Sequence, residues 1–324
     1  MSRTLARAAA VADRRVTGLS REVLAELVAE LGPRWQARQD ARLADRPRRR
    51  AVGAGARYRL VFVDRLLTTL VHLRHGVTHD VLACWLGVSR STITRAVGEV
   101  RPLLAERGCT VEGGIRLRTL ADVVAHLGAS RQLGLLDATE VRVRRPAAHK
   151  AGWTRFFSGK AGANTVKALL ITDAEGRLLC CGQTRPGAIH DLIQVRQAGL
   201  VEPLALTPGV TPLADAGHQG VGAQTAGAVI TPRPARRKNL LPVLLALAAA
   251  HEAERRAHAV QRIRVGHGIS HLRNWRALSG HLGRREHLDA IVPAVAGLVS
   301  SQDRTPRPDH LHRSPRALPA GTAG

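Results

Sequence analysis

Leu133-Gly134-Leu135-Leu136-Asp137-Ala138-Thr139-Glu140-Val141-Arg142-Val143 is the stretch on which the fold turns. Its apolar opening reads as a buried strand that ends in an acid, Asp137, and a second short apolar run, Val141–Val143, follows. Further along, Thr211-Pro212-Leu213-Ala214-Asp215-Ala216-Gly217-His218-Gln219-Gly220 repeats the arrangement of apolar strand, acid and nearby glycine. Each acid taken singly is an ordinary cap or turn residue. As a pair on adjacent strands, they could hold a divalent ion. Mg²⁺ wants oxygen ligands and keeps several waters, so one or two carboxylates per ion suffice. Two ions ~4 Å apart stabilise the attacking and leaving oxygens of phosphoryl transfer.

Around these strands the texture alternates. Val166–Ile171 and Leu178–Cys181 are short apolar runs between turn signals, and a helix is predicted over Ile189–Gln197. Strands interleaved with helices mean an α/β or α+β domain. Residues 245–300 read as helix. From Gln302 onward Pro306, Pro308, Pro315 and Pro319 interrupt any period, and a disordered tail is expected.

Upstream the pattern is helical. Ser20 is placed to cap a helix through Val23, Leu24, Leu27, Val28 and Leu31, which Gly32-Pro33 is expected to end. Leu60, Val61, Val63, Leu66, Leu67, Leu70 and Val71 form one apolar stripe, broken at Gly76. Thr78 then caps a short helix, Gly87 makes the turn, and Ser89 caps another helix through Val97. More helix is expected over 101–130. Thr78–Val97 has the layout of a helix-turn-helix: Ala83 is small where the helices meet, and Val88, Ile93 and Val97 fill a small core. Arg90, Ser91, Thr92, Thr94 and Arg95 are left as the DNA-facing candidates, since Arg can bind guanine O6 and N7 and Ser or Thr can reach bases or phosphates. An ordinary helical hairpin is the plainer reading of the same spacing.

The chain has 324 residues, enough for two domains with a buried core, and a formal charge of +24. Lysine occurs only at 150, 160, 167 and 238, so the basicity is almost all arginine, whose planar fork suits phosphate oxygens. Such a surplus points to a polyanion, with nucleic acid first. Residues 1–57 carry 13 Arg against 6 acids, read either as a solvated linker or as an arm tracking phosphates. Between 230 and 276 there are ten Lys or Arg against two Glu; Arg236, Arg237 and Lys238, with Arg233, form a loop suited to phosphate, and Arg273 joins them as a DNA-binding candidate.

At 44% hydrophobic the chain is no disordered polycation, and 2% aromatics are too few for a base-stacking platform. No apolar run reaches the ~18–20 residues of a membrane span, and the first residues lack an extended apolar core, so no secretory signal is expected there. Cys84, Cys109, Cys180 and Cys181 have no zinc spacing and suit a reducing cytosol.

Taken in order, these segments resemble bacterial insertion-sequence transposases of the DDE superfamily, in the Harbinger-like branch. The resemblance runs from Val61 to about Ser301. It is carried by Val61-Phe62-Val63-Asp64-Arg65-Leu66-Leu67, Leu136-Asp137-Ala138-Thr139-Glu140-Val141, Ser158-Gly159-Lys160, Asn164-Thr165-Val166-Lys167, Arg185-Pro186-Gly187-Ala188-Ile189-His190-Asp191, Leu213–Gly220 and His271-Leu272-Arg273-Asn274-Trp275-Arg276. It implies an RNase H-like mixed α/β domain after an all-α helix-turn-helix domain: a basic helix and linker over 1–57, the helix-turn-helix domain over 58–130, the catalytic domain over 131–301 and the tail over 302–324. It also implies cleavage and transfer of DNA strands with two divalent ions, Mg²⁺ or Mn²⁺. The partners implied are double-stranded DNA (element ends and target) and a second copy of the chain, in the bacterial cytoplasm on the nucleoid and not in a membrane.

The first two acids of the family triad fall on Asp137 and Asp215, both as metal ligands. The third, a glutamate, falls on Gly266, so one ion loses its anionic ligand. Two glycines, 266 and 268, then share a helical turn, each costing ~1 kcal/mol relative to Ala. Glu252, Glu254 and Glu286 lie turns away, and Asp191 is the acid whose loop could approach. His218 stands where relatives commonly carry tyrosine. An active enzyme, a silent DNA-binding relative acting as a repressor, and a helix-turn-helix regulator all remain open readings of the sequence.

Overall fold

The computed structural model describes residues 13–44, 59–147, 152–234, 245–281 and 283–303. Its N-terminal part is helical: α1 (Arg14–Thr17), α2 (Arg21–Ala44), α3 (Phe62–His75), α4 (His79–Leu86) and α5 (Arg90–Glu106). A small hairpin of β1 (Cys109–Thr110) and β2 (Arg116–Leu117) leads into α6 (Leu120–Ser130). The sheet follows with β3 (Leu135–Arg142), β4 (Phe157–Ser158), β5 (Ala163–Thr172), β6 (Leu178–Pro186) and β7 (Leu213–Ala214). Between β6 and β7 lie α7 (Asp191–Gln197) and α8 (Val201–Leu206). After β7 come α9 (Val221–Gln224), α10 (Leu245–Arg273), α11 (Arg276–Ser279) and α12 (Leu288–Asp303).

β3, β5 and β6 pair antiparallel, and β7 adds to the free edge of β3 in parallel, with Ile230 bridging beyond it. This is the mixed α/β sheet expected of an RNase H-like domain. β5 is buried along Thr165–Thr172, as a central strand covered on both faces must be. Its period-2 alternation sends Val166, Ala168 and Leu170 to a core shared with α12, and Leu169 and Ile171 to one shared with α6 and α7. The larger core extends well beyond the sheet: Leu27 and Leu31 of α2, Leu66 and Leu70 of α3, Leu103 of α5 and Val295 of α12 belong to it. Helical region and sheet thus share apolar contacts through α12.

Several local expectations change. Gly32-Pro33 does not end the first helix, because α2 runs on to Ala44. Trp35, 6% exposed, packs on Phe62 and donates to Glu99, and this docking holds the turns after Pro33 in helix. The 101–130 region is not helix throughout: the β1–β2 hairpin interrupts it, and Gly108 (φ 72°) makes the exit from α5. Its missing Cβ would overlap the Leu117 carbonyl. Val61 and Val63 of the expected stripe are exposed. Phe157, just before the Ser158-Gly159-Lys160 motif, is exposed, whereas Phe156 lies under Arg285. The chain stays helical through Asp303, and the Gln302 side chain accepts from the Ser20 amide. The expected tail therefore keeps two ordered residues, and 304–324 lies outside the described residues. Most of the basic linker, 45–58, does too.

Candidate active site and DNA-reading face

Strand register puts the two acids together. Leu135 and Leu136 pair with Leu213 and Ala214 in parallel, so the next residues, Asp137 and Asp215, emerge side by side at the β3–β7 edge. Alternation turns Asp137 to the same side as Leu135, which packs with Leu213 and Val265 of α10. α10 crosses this edge. His258 Nε2–H donates to the Ala214 carbonyl at 2.8 Å, and one turn on Arg262 Nη2 donates to Asp137 Oδ2 at 3.0 Å and to the Leu136 carbonyl at 3.4 Å.

The two carboxylates sit in different fields. Burial dominates at Asp137 and, with the Asp215 charge beside it, pushes its pKa up against the pull of Arg262 and the Ala138 amide. Burial also works against ionisation of Asp215, but the His218 hydrogen bond and the His218, Arg262 and Lys160 charges outweigh it and hold Asp215 at about 2. His218 is fully buried. Its Nδ1 lies 2.5 Å from Asp215 Oδ1, which also accepts from the Gly217 amide.

Asp191 comes into the same space. It opens α7, where His190 caps the helix, and Lys167 Nζ holds its Oδ1 at 2.7 Å. Donor atoms of Asp191, Asp215 and His218 lie within 4.8 Å of one another. Two carboxylates and an imidazole at that spacing are compatible with a divalent cation, and Asp137 does not belong to the group. The other acids considered do not come here: Glu252 pairs with Arg255 and Arg256, Glu254 with Arg233, and Glu286 is exposed.

Gly266 follows His258 and Arg262 at intervals of four residues on α10. It is exposed, and a side chain there would begin in open space. Gly268 is different: a Cβ would overlap the Gly176 carbonyl, so glycine there permits the close approach of the β5–β6 turn. Arg273 is exposed, three helical turns and roughly 16 Å beyond Arg262, away from the acids. Trp275 is 2% exposed and anchors the end of α10, as its motif suggests. Sequence reasoning missed the roles of His258 and Lys167. No local signal marks them, because helix docking alone decides what they touch.

The helix-turn-helix is formed as its spacing predicts. Thr78 and Ser89 cap α4 and α5, Gly87 takes φ 63° in the turn, and Ala83, Ile93 and Val97 are buried in their own small core. α5 extends beyond Val97 to Glu106. On it Arg90, Ser91, Thr94 and Arg95 are exposed and Thr92 is half-buried. Arg90 lies 3.6 Å from Asp80, and His79 Nδ1 contacts the Thr94 hydroxyl at 2.9 Å, so two of the five candidates also tie the helices together. Arg236, Arg237 and Lys238 lie outside the described residues.

Residues 136–300 match the family model for DDE superfamily endonuclease, and residues 58–110 match that for the helix-turn-helix of DDE superfamily endonuclease. The chain belongs to the DDE superfamily endonucleases. That superfamily implies use of a divalent metal, and a helix-turn-helix implies binding of DNA. The chain is similar to a probable transposase for insertion sequence element IS702 from Microchaete diplosiphon, 27% identical over 169 residues, covering 52% of this chain and 56% of the relative. The chain thus spans little more than half the length of that relative. No solved structure matches it.

Proposed function

We propose that this chain is the transposase of an insertion sequence. Its helix-turn-helix reads the terminal repeats, and Asp137 and Asp215 form the core of a strand-cleavage and strand-transfer centre. The observation that carries this reading is the parallel β3–β7 register, which sets two carboxylates side by side under a basic helix. A divalent ion at such carboxylates, Mg²⁺ or Mn²⁺, lowers the pKa of water and stabilises a leaving 3′ oxygen. The chain's own groups do the rest. Arg262 neutralises Asp137 and presents a guanidinium where a phosphodiester would enter, and Asp215 stays ionised at neutral pH. Arg95 and Ser91 reach the major groove, and Arg273, with Arg236, Arg237 and Lys238, tracks phosphates. No described helix is long and apolar enough to cross a membrane. The reading puts the protein in the bacterial cytoplasm, on the nucleoid, as a homo-oligomer that pairs two element ends.

Gly266 favours a second reading, in which this copy binds DNA but does not cut it and acts as a repressor of its element. Cleavage of cognate end DNA with Mg²⁺ or Mn²⁺, by the native chain and by Gly266→Glu, separates the two. Rescue by the variant, at least tenfold over the native chain, makes this copy a silent binder of transposase descent. Cleavage by neither chain, with cognate ends bound, removes the enzymatic reading.

A further inference from the structure

We propose that Arg101, His72, His79 and His287 form a phosphate site at the seam between the helix-turn-helix and the catalytic region, and that it takes a backbone phosphate of a DNA duplex lying along α5. The proposal rests on the reading that the helix-turn-helix holds DNA, and it adds a contact outside the five candidates at the start of α5.

Arg101 lies seven residues beyond Thr94 on α5, two turns on along the same face. α5 packs against α3, α4 and α12. The Arg101 Nε is buried without a hydrogen-bond partner, and its guanidinium has no ion pair among the described residues. A buried charged donor left open is costly, and an anion relieves that cost. The neighbouring elements bring imidazoles around it. His72 of α3 and His79 of α4 have ring centroids 4.9 Å apart, and His281 and His287 come from the turns before α12. The Arg101 charge acts on all four rings. Arg90 adds to the positive field at His79 and Arg284 at His287; Asp80 opposes it at His79 and Glu286 at His287, and both acids are exposed.

Proton placement fixes what the rings can do. His72 Nδ1–H donates to the Val77 carbonyl at 2.9 Å. The Thr94 hydroxyl donates to the Arg90 carbonyl, so its oxygen accepts from His79 Nδ1–H at 2.9 Å. Nε2 of each ring is then left without a partner among the described residues, a lone pair in the neutral ring and a donor once protonated. A cation does not fit, because Arg101 repels it and, among the described residues, these rings form no group of three ligating atoms. A phosphate does fit. It favours the charged form of the rings it touches, so binding takes up protons and tightens as pH falls.

The test is fluorescence anisotropy of the full chain with a mixed-sequence duplex, across salt and pH, since a phosphate contact carries no sequence information. Arg101→Met is expected to weaken binding about tenfold and to reduce the slope of log K against log salt by about 1, the loss of one phosphate contact. Its thermal midpoint should be no lower than native, because an unpaired buried charge is removed. Between pH 8 and pH 6 the native chain should gain about fivefold more affinity than His72→Gln/His79→Gln, which keeps the test open should Arg101→Met fail to fold. Native affinity and salt slope in a folded Arg101→Met, or an equal pH gain in the double variant, overturns the proposal. So does calorimetric binding of inorganic phosphate that depends on Arg101 while duplex affinity does not, which makes this a site for a free anion. A native chain that binds no duplex at all overturns the DNA reading as well, so the two failures are told apart.

Discussion

Arg262 and Gly266 stand one helical turn apart on α10, and of the two only Arg262 brings a charge to the β3–β7 edge. A side chain at 266 would begin in open space, while burial and the Asp215 charge already raise Asp137. Arg262, 3.0 Å from Asp137, is a balancing charge there. The same balance of burial against partners governs the cysteines. Burial pushes the Cys109 and Cys180 thiols up, Cys180 to about 12, while Cys84 is exposed on α4. Because the thiolate is the reacting form, iodoacetamide at pH 8 is expected to modify Cys84 in the folded chain and to reach Cys109 and Cys180 only after denaturation. Peptide mapping of the alkylated sites checks this, and rapid native labelling of Cys109 would contradict the burial described.

At the scale of elements, the helix-turn-helix was legible because caps, turn glycine and core residues are all local. α2 was not. Gly32-Pro33 carries a stop signal: proline removes an amide donor and crowds the preceding turn, at ~3 kcal/mol. The helix continues because Trp35 buries against Phe62, lies near the Arg65 guanidinium and donates to Glu99 across to α5. Trp35→Ala is expected to cost roughly 3–5 kcal/mol, the scale of a large aromatic deletion in a core, and to unravel the helix after Pro33. A drop in thermal midpoint together with faster amide exchange over 34–44 would show both. Retained protection there would mean that the segment's own propensity, and not docking, holds it. β3 differs again: the apolar run Leu133–Leu136 predicted a strand ending at Asp137, but pairing with β5 carries it through Asp137 to Arg142, so the acid lies inside the strand.

Across the whole molecule, one buried ionic cluster ties the ends of the chain. Arg107, 1% exposed, donates to Glu26 and Glu30 of α2 and to Ser301 of α12, and Arg116 shares both glutamates. Arg107→Met leaves those glutamates partly uncompensated and is expected to cost roughly 3 kcal/mol, read as a lower thermal midpoint. Trp35 and Trp275 fluorescence should then still melt with the backbone signal, since both side chains belong to the shared core. A second ionic effect is distributed. His72, His79, His281 and His287 have pKa values lowered by burial first, with the Arg101 charge acting on each. Below the unfolded value near 6.5, the unfolded chain therefore binds protons that the folded chain does not, and stability falls as pH falls. The thermal midpoint should be lower at pH 5.5 than at pH 7.5 at fixed ionic strength. An unchanged or higher midpoint would mean that these rings titrate as free histidines.

The sequence alone determined the helix-turn-helix and the apolar runs beside Asp137 and Asp215, because caps, glycine turns and short apolar runs act over a few residues, whereas Asp137, read as a strand end, lies inside β3, and the mixed sheet was implied by the resemblance. It also exposed the glycine where the resemblance expects a glutamate. Only the tertiary structure decided which groups surround those acids. Asp191 enters from the start of α7, His258 and Arg262 arrive on a helix more than a hundred residues beyond β3, and α12 joins the helical region to the sheet. Those contacts depend on how separated elements dock on a common core, and no spacing within a single segment encodes that docking.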